Sequence, residues 1–348
     1  MPPKHWILEP SEQSIREYHN LQNTCGLLET SERGRICLTG EDRVSFLHGQ
    51  ITQDIKSLNQ GQGAFAALVD AKGKIQSDLN VYILKDEILL DFEKGYSETI
   101  TQRLEHHLVS EDVDLIDPSE FYSMLSVQGP ESEKVLIGVF PELSLPLENW
   151  HFQETLHGEE SIYVCRRPRF GSLGFDLFVP VSIYDVIYSN LNSAVDGLGG
   201  SLIGQEASEM ARISAGIPKM GIDMTPDHLV QETGLTDSTI SFRKGCYIGQ
   251  EVISRIRTVG KVNKSLCRLA FDSKNLTSET PDLTADGKDA GFVTSLARLP
   301  DSDGGVQGLG YVKRSFLEND DSLVLGANGN SPVRVRILGG PSPTGHHS

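Results

Sequence analysis

Residues 242–251 read Phe-Arg-Lys-Gly-Cys-Tyr-Ile-Gly-Gln-Glu, and no other stretch of the chain is as informative. Gly245 and Gly249 bracket Cys246, which predicts a turn with a positive φ or a close approach of two backbone segments. Residues 250–257 can continue as a helix, because their apolar side chains recur at helical spacing. The cysteine is therefore expected in a tight turn just before a helix.

The surroundings expected for Cys246 favour a reactive thiol. A helix N-terminus and the neighbouring Lys244 both stabilise a thiolate relative to a thiol. We therefore predict a nucleophilic or redox-capable cysteine. These residues alone leave one alternative open, a small buried cysteine that only fills the turn.

The composition indicates a folded protein with more than one domain. The chain has 348 residues, 38% of them hydrophobic and 23% charged, and two or three domains are expected at this length. No apolar run approaches the ~20 residues that span a membrane. The N-terminus lacks the basic and then apolar pattern of a signal peptide. We expect a cytoplasmic protein without a membrane partner.

The charge is strongly negative overall and locally positive. A net charge of −17 repels phosphate backbones, so we expect no nonspecific binding of nucleic acid. Residues 241–268 hold a single acid, Glu251, against seven bases: Arg243, Lys244, Arg255, Arg257, Lys261, Lys264 and Arg268. This basic stripe predicts a local anion site, and a solvated basic surface explains it equally well.

The cysteines and histidines indicate neither disulfides nor a metal site. The five cysteines form no CxxC pair, and an odd number in a long chain argues against a disulfide framework. The ten histidines include no HExxH pattern, so we expect no metal bound by the protein's own side chains. Apart from Cys246, the cysteines are expected to pack in apolar surroundings: Cys25, Cys37, Cys165 and Cys267.

Hydrophobic periodicity predicts helices mixed with antiparallel hairpins rather than regular βαβ units, which argues against a doubly wound sheet. A first block has helices at 11–24, from 41 onward and near 100–108, with strands at 35–39, 64–69, 74–84 and 87–92. A second block has strands at 121–127, 161–165 and 173–179, helices at 130–139, 183–191 and 205–214, and loops at 141–146 and 150–160. From about residue 260, short apolar runs alternate with turns, as is typical of a small β-barrel.

The motif at 244–251 resembles the hallmark of the YgfZ family, Lys-Gly-Cys-Tyr-x-Gly-Gln-Glu. The resemblance extends over most of the chain. Residues 40–54 (GEDRVSFLHGQITQD) resemble the family's first helix and the segment after it, and 212–218 (RISAGIP) resemble the segment before its long loop. Residues 291–295 and 308–312 resemble strands of its C-terminal barrel.

The resemblance implies an α+β cloverleaf, in which two interleaved subdomains with mainly antiparallel sheets and a C-terminal β-barrel surround a folate pocket. The expected boundaries are 1–258 for the folate-binding region, 259–340 for the barrel and 341–348 for a disordered tail. The resemblance further implies a monomer that binds tetrahydrofolate. It also implies that the protein supports [4Fe-4S] enzymes, including tRNA-modifying radical enzymes, as transient partners. The family's functional cysteine corresponds to Cys246, within a motif completed by Lys244, Gly245, Tyr247, Gly249, Gln250 and Glu251.

Two acidic positions resemble folate contacts of the related aminomethyltransferases. Residues 169–179 (RFGSLGFDLFV) resemble a segment ending Gly-Phe-Glu whose acid faces the pterin, so Asp176, one methylene shorter, takes that place. Residues 76–82 (QSDLNVY) resemble an Asp-Asp-Leu-Ile-Val-Tyr strand whose acid acts near the folate nitrogens, which makes Asp78 a catalytic and folate-binding candidate. Ser77 replaces the first acid, and strand alternation puts the two side chains on opposite faces. Arg255 is a candidate for the folate's glutamate tail.

Three functions remain open from the sequence. The first is a tetrahydrofolate-binding accessory factor that uses Cys246 in assembling or repairing iron–sulfur enzymes. The second is a folate-dependent aminomethyl or one-carbon transferase, for which Asp78 would be central. The third is a non-catalytic partner-binding module with folate as a structural ligand.

Overall fold

The computed structural model describes residues 6–258, 260–272, 276, 281–300, 305–318, 323–326 and 332–341. Within them the helices are α1 (Glu12–Asn23), α2 (Arg43–Gln50), α3 (Ser97–Glu105), α4 (Ser132–Val139), α5 (Tyr184–Gly197), α6 (Gln205–Ala215), α7 (Thr236–Thr239) and α8 (Gln250–Thr258). The strands are β1 (Gly26–Glu29), β2 (Gly34–Thr39), β3 (Gly63–Val69), β4 (Ile75–Ile83), β5 (Ile88–Phe92), β6 (Asp114–Ile116), β7 (Tyr122–Gln128), β8 (Phe152–His157), β9 (Glu160–Arg166), β10 (Gly174–Pro180), β11 (Ser201–Leu202), β12 (Lys264–Phe271), β13 (Asp282–Ala285), β14 (Lys288–Arg298), β15 (Val306–Lys313), β16 (Leu323–Leu325) and β17 (Val333–Gly339).

The first sheet is antiparallel and has the strand order β3-β4-β5-β2-β6. One of its faces forms an apolar core with α2 and α3, because alternate strand residues such as Leu79 and Val81 meet Leu47 and Ile100 there. The strands predicted at 35–39, 64–69, 74–84 and 87–92 are confirmed. The other face turns toward the second sheet.

The second sheet has the order β11-β1-β7-β10-β9-β8, with only β1 and β11 parallel. Strand β1 precedes the whole first sheet in the chain, yet it pairs with β7. The two subdomains are therefore interleaved. The prediction of a loop at 150–160 is wrong, because β8 pairs with β9 along this edge. Its side chains are mostly exposed, so the sequence there lacks the apolar alternation that marks a strand.

The C-terminal strands close into a barrel in the order β12-β15-β14-β13-β16-β17. The hydrophobic pattern did not predict the short strand β13, whose first residue is acidic. Trp6 packs in the barrel core, and Ile7 bridges to Ala297. The prediction of an α+β fold with mainly antiparallel sheets and a C-terminal barrel is confirmed. The boundaries at 259 and 341 stay predictions, and residues 342–348 lie outside the described part.

The two sheets face each other across a shared layer of side chains, here called the inter-sheet layer. Its apolar end joins Tyr82, Leu84 and Leu89 of the first sheet region to Met124 and Phe178 of the second. The opposite end is charged, since Asp78 and Asp91 lie on the same face of the first sheet as Tyr82 and Leu89 by strand alternation. The layer therefore changes from apolar to charged along the strands.

Tyr82 of this layer and Tyr311 of barrel strand β15 form a matched pair that tests how a hydrogen-bond partner changes the contribution of a buried hydroxyl to stability. The buried hydroxyl of Tyr82 has no hydrogen-bond partner in the described structure, whereas that of Tyr311 donates to the Asp223 carbonyl at 3.0 Å. Tyr82→Phe should raise the free energy of unfolding by about 1 kcal/mol, because it removes an unsatisfied polar group. Tyr311→Phe should lower it by about 1 kcal/mol. Urea denaturation measures both, and equal changes would contradict this account.

Candidate functional site

A cavity of about 310 Å³ lies where the charged end of the inter-sheet layer meets α6. The first sheet region supplies Phe65 and Asp78, and the second supplies Arg167 and Arg169. Helix α6 and the segment after it contribute Gln205, Ser208, Glu209, Arg212, Ile217, Pro218, Lys219 and Met220 to the wall. We refer to it as the central cavity.

Strand alternation on β4 decides which of two neighbouring polar residues reaches the central cavity. Ser77 is fully buried among the apolar residues on the core face, and its hydroxyl donates to the Asp78 carbonyl. Asp78 points to the other face and lines the cavity. The acid that the sequence left uncertain therefore lies in the cavity, and the serine does not.

The carboxyl group of Asp78 is held in an unusual electrostatic state. Its Oδ1 is buried and has no hydrogen-bond partner in the described structure. Burial raises the pKa of Asp78 to about 6, while nearby Arg33 opposes the rise and Glu93 adds to it. A carboxyl group with a pKa near neutrality can both accept and return a proton.

The other charged groups around the cavity are largely occupied with each other. Arg33 binds Asp91 through two hydrogen bonds of 2.6 and 3.0 Å. Asn80 donates to the same Asp91 carboxylate at 2.7 Å. Arg212 and Lys219 both bind Glu209 at 2.9 Å. These pairs fix the cavity wall. Asp78 can therefore accept a hydrogen bond from a ligand bound in the cavity.

Asp176, predicted to face the pterin, is fully buried in β10 and is not part of the cavity wall. Arg169 binds its two oxygens at 2.8 and 2.7 Å, and the Ser126 hydroxyl donates to it at 2.8 Å. The carboxylate is therefore already engaged. The residue that reaches the cavity from this position is Arg169.

A flat aromatic surface forms one side of the cavity. Phe65 lines it and stacks on Trp150, with ring centroids 5.5 Å apart. The Arg167 guanidinium lies over both rings, at 5.7 and 5.2 Å from their centroids. Its Nε donates to Oδ1 of the Asn80 side chain at 3.1 Å. An aromatic face beside fixed cations and a free carboxylate suits a flat, polar heterocycle.

Cys246 is exposed and does not line the central cavity. Lys244, expected to assist it, is buried and turns inward. Its ammonium group donates to the carbonyls of His48, Ile51 and Gln53 at 2.5, 2.7 and 2.9 Å. These carbonyls lie at and beyond the C-terminus of α2, where backbone acceptors lack helical partners. Lys244 therefore fastens the 242–251 loop to α2.

Other residues of the motif also anchor this loop. Tyr247 is buried against β3 and β4 residues in an apolar cluster. Gly249 has a φ of +84°, and a Cβ there would lie 2.6 Å from the Asp70 carbonyl oxygen, so only glycine fits. At Gly245 an added Cβ would meet no atom within 4 Å. The anchors leave Gly245 and Cys246 exposed.

The remaining predicted site residues lie on α8. Gln250 is its first residue, and Glu251 is exposed in its first turn, where an acid stabilises the helix N-terminus. Arg255 is exposed on this helix and is not part of the central cavity wall. The structure thus brings Asp78 alone, of the predicted residues, into the cavity.

Sequence reasoning missed Arg33, Phe65, Arg167 and Arg212 as cavity residues. They come from four distant parts of the chain, and no short motif joins them.

Within the described ranges, no group of three or more His, Cys, Asp or Glu side chains is placed to hold a metal ion. None of the helices that the structure describes has the length and apolarity to cross a membrane.

The fold is that of an aminomethyltransferase. Glycine cleavage system aminomethyltransferase T from Bartonella henselae superposes with a TM-score of 0.83 at 20% sequence identity, covering 96% of this chain and 89% of that one. The family model described as the GCVT N-terminal domain matches residues 5–244. The chain therefore belongs to the GCVT N-terminal domain family.

Curated relatives span nearly the whole chain. A putative chloroplastic transferase of Arabidopsis thaliana is 27% identical over 92% of this chain and 72% of its own length. Aminomethyltransferases of a Geobacillus species and of Halothermothrix orenii are 24% and 26% identical, covering 97% and 92% of this chain and 92% and 89% of their own. Members of this family bind tetrahydrofolate, in agreement with the predicted cofactor. The unpartnered Asp78 oxygen beside the aromatic wall fits an N–H donor next to the folate nitrogens that carry one-carbon units.

The anchoring role of Lys244 can be tested against its exposed neighbour. Lys244→Met should lower the free energy of unfolding by about 2–3 kcal/mol, because three carbonyls lose their buried donor. Arg243 is exposed, so Arg243→Met should change it by less than about 0.5 kcal/mol. Thermal and urea unfolding measure both variants. Equal stability of the two would show that Lys244 does not secure the loop.

Proposed function

We propose that the protein is a tetrahydrofolate-dependent one-carbon transferase that acts on an amine-bound one-carbon unit. The observation that carries the proposal is the carboxyl group of Asp78, which lines a cavity with an aromatic wall and whose Oδ1 has no hydrogen-bond partner in the described structure. Tetrahydrofolate supplies, when bound, the ring nitrogens that carry one-carbon units. The remaining chemistry is positioning and proton transfer, and both fall to side chains of this chain.

Binding in the central cavity uses its aromatic and cationic walls. Phe65 offers an apolar face for the pterin, and the Arg167 guanidinium beside it stays fixed by Asn80. Lys94 lines the cavity with about half of its side chain exposed, and Lys219 lines it nearby. Lys94 is paired at the surface with Glu32 at 2.9 Å and can exchange that partner for a carboxylate of a glutamate tail, whereas Lys219 stays bound to Glu209. Arg255 is a weaker candidate for that tail because it lies outside the cavity wall.

Asp78 moves the proton in this proposal. Its ionised form accepts a proton from the amine centre or holds a cationic amine in place. The Arg33–Asp91 pair keeps a positive charge near Asp78 without forming a hydrogen bond that would occupy it. The carboxyl group is therefore free for substrate and titrates close to neutral pH.

The test replaces Asp78 and follows the pH dependence. Wild-type transfer from an aminomethyl donor should rise with pH through a pKa of about 6, because the carboxylate is the active form. Asp78→Asn should lower kcat/KM about 100-fold and remove that limb of the profile. Asp86→Asn, in an exposed turn, is the control and should match the wild type.

Calorimetric titration with tetrahydrofolate completes this test. Wild type and Asp86→Asn should bind alike, and Asp78→Asn should bind more weakly because the pterin loses an acceptor. Absence of folate binding by the wild type would sink the proposal. Unchanged kinetics in Asp78→Asn would remove Asp78 from the chemistry.

A second candidate function is that of an accessory factor in the YgfZ branch, which assembles or repairs [4Fe-4S] enzymes of the cytoplasm. The observation in its favour is that Cys246 is exposed, whereas the other four cysteines are buried. The loop that holds it is anchored by Lys244 and Gly249, so the thiol is displayed on a fixed surface. Transient client enzymes would meet this surface rather than the central cavity.

Cys246→Ala separates the two candidates. The accessory function predicts that this variant binds tetrahydrofolate normally and fails to restore the activity of a [4Fe-4S] tRNA-modifying enzyme in cells lacking the protein. The transferase function predicts full in vitro turnover by the same variant. Cys246→Ser keeps the size of the side chain and controls for local packing. Restoration by both cysteine variants would exclude the accessory function.

A further inference from the structure

A second cavity of about 150 Å³ lies at the apolar end of the inter-sheet layer, and we call it the distal cavity. Leu84, Leu89, Phe178 and Tyr163 form its apolar wall, together with Tyr122, Cys37 and Pro118. It shares no lining residue with the central cavity. An apolar cavity of about this volume holds one benzene ring.

The rim of the distal cavity exposes large apolar side chains. Phe121 is 64% exposed and Ile116 44% exposed, and both line the cavity. Ile116 ends β6, the edge strand of the first sheet. The cavity is therefore open to solvent at this edge, so a small molecule can enter without unfolding the sheets.

Arg35 places a buried cation in the wall of this cavity. The residue is 2% exposed, and no carboxylate of the described residues lies within 4 Å of its guanidinium. One terminal nitrogen donates to the Tyr122 carbonyl at 2.6 Å, and the other donates to Ser31 and Ser119. Its Nε is buried without an acceptor. A buried cation with a free donor is costly unless an acceptor completes it.

Glu87 gives the distal cavity a second polar end. Arg35 is opposite Asp91 in the strand register, and Glu87 precedes Asp91 by four residues on the neighbouring strand. The backbones of Arg35 and Glu87 are thus roughly 13 Å apart. Both side chains line the cavity, so it has one cationic and one anionic end with apolar side chains between them. The Glu87 carboxylate also accepts a hydrogen bond from the Cys37 thiol.

We propose that the distal cavity binds a single-ring aromatic carboxylate that carries a hydrogen-bond donor at the far end of the ring. The carboxylate meets Arg35, the ring fills the space among Leu84, Leu89 and Phe178, and the donor meets Glu87. This site does not depend on the function proposed for the central cavity. Burial and nearby Glu87 raise the pKa of Cys37, so its thiol stays protonated and the ligand is held without a covalent bond.

The experiment titrates the full-length protein with 4-hydroxybenzoate and follows binding by calorimetry and ligand-observed NMR. We expect a Kd of about 1 mM or tighter for the wild type, as suits a ligand of this size. Benzoate lacks the donor and phenol lacks the carboxylate, so each should bind at least several-fold more weakly.

Two tryptophan variants provide a matched test of location. Ile116→Trp fills the entrance and should weaken binding at least about tenfold. Ile137, on α4, is 46% exposed and does not line the cavity, so Ile137→Trp should bind like the wild type. Arg35→Met should weaken 4-hydroxybenzoate and leave phenol unchanged. The proposal is overturned if the wild type does not bind 4-hydroxybenzoate, if both tryptophan variants bind like the wild type, or if tetrahydrofolate displaces the compound.

Discussion

The buried carboxylate of Asp91 is the group on which the arrangement of the central cavity depends. It is fully buried, and burial alone would raise its pKa. Arg33 and Arg169 outweigh that effect, so the pKa of Asp91 is lowered and the group stays charged. It receives two hydrogen bonds from Arg33 and one from Asn80, and Arg169 of the second sheet region lies 3.8 Å away. One carboxylate thus joins both sheets at the edge of the cavity.

This interaction explains why Asp78 is available for chemistry. Among the cations, Arg33 has the strongest effect on the pKa of Asp78, but its hydrogen bonds go to Asp91 and Glu93. Asp78 therefore gains some electrostatic stabilisation without a bound partner, and burial keeps its pKa near neutrality. Because Arg33 is bound to Asp91, the neighbouring Asp78 can still accept a hydrogen bond. An acid that binds a ligand must have such a free acceptor.

The polarity of the inter-sheet layer changes along the strands, and a cavity lies at each end. Charged side chains on both sheets cannot close-pack as apolar ones do, since each must keep its hydrogen bonds, so space remains around Asp78. At the other end large aromatic rings meet, and the distal cavity lies beside them. The 242–251 loop is separate from both cavities and is held by Lys244 and Gly249, so Cys246 occupies a surface of its own. Transfer chemistry and thiol chemistry would therefore use different parts of the molecule.

Alternation and helical periodicity are local patterns, so they were sufficient to predict most of the elements, the antiparallel character of the sheets and the barrel. The sequence also predicted Asp78 as a folate contact, and the structure places this residue in the central cavity wall. The close approach expected beside Gly249 is present. Sequence reasoning missed the edge strand β8, whose exposed side chains carry no such pattern. Packing between distant segments establishes that Lys244 faces α2, that Arg169 binds Asp176, and that Arg33, Phe65 and Arg167 share a cavity. These outcomes depend on contacts between distant segments, and no local spacing encodes which buried charges become partners.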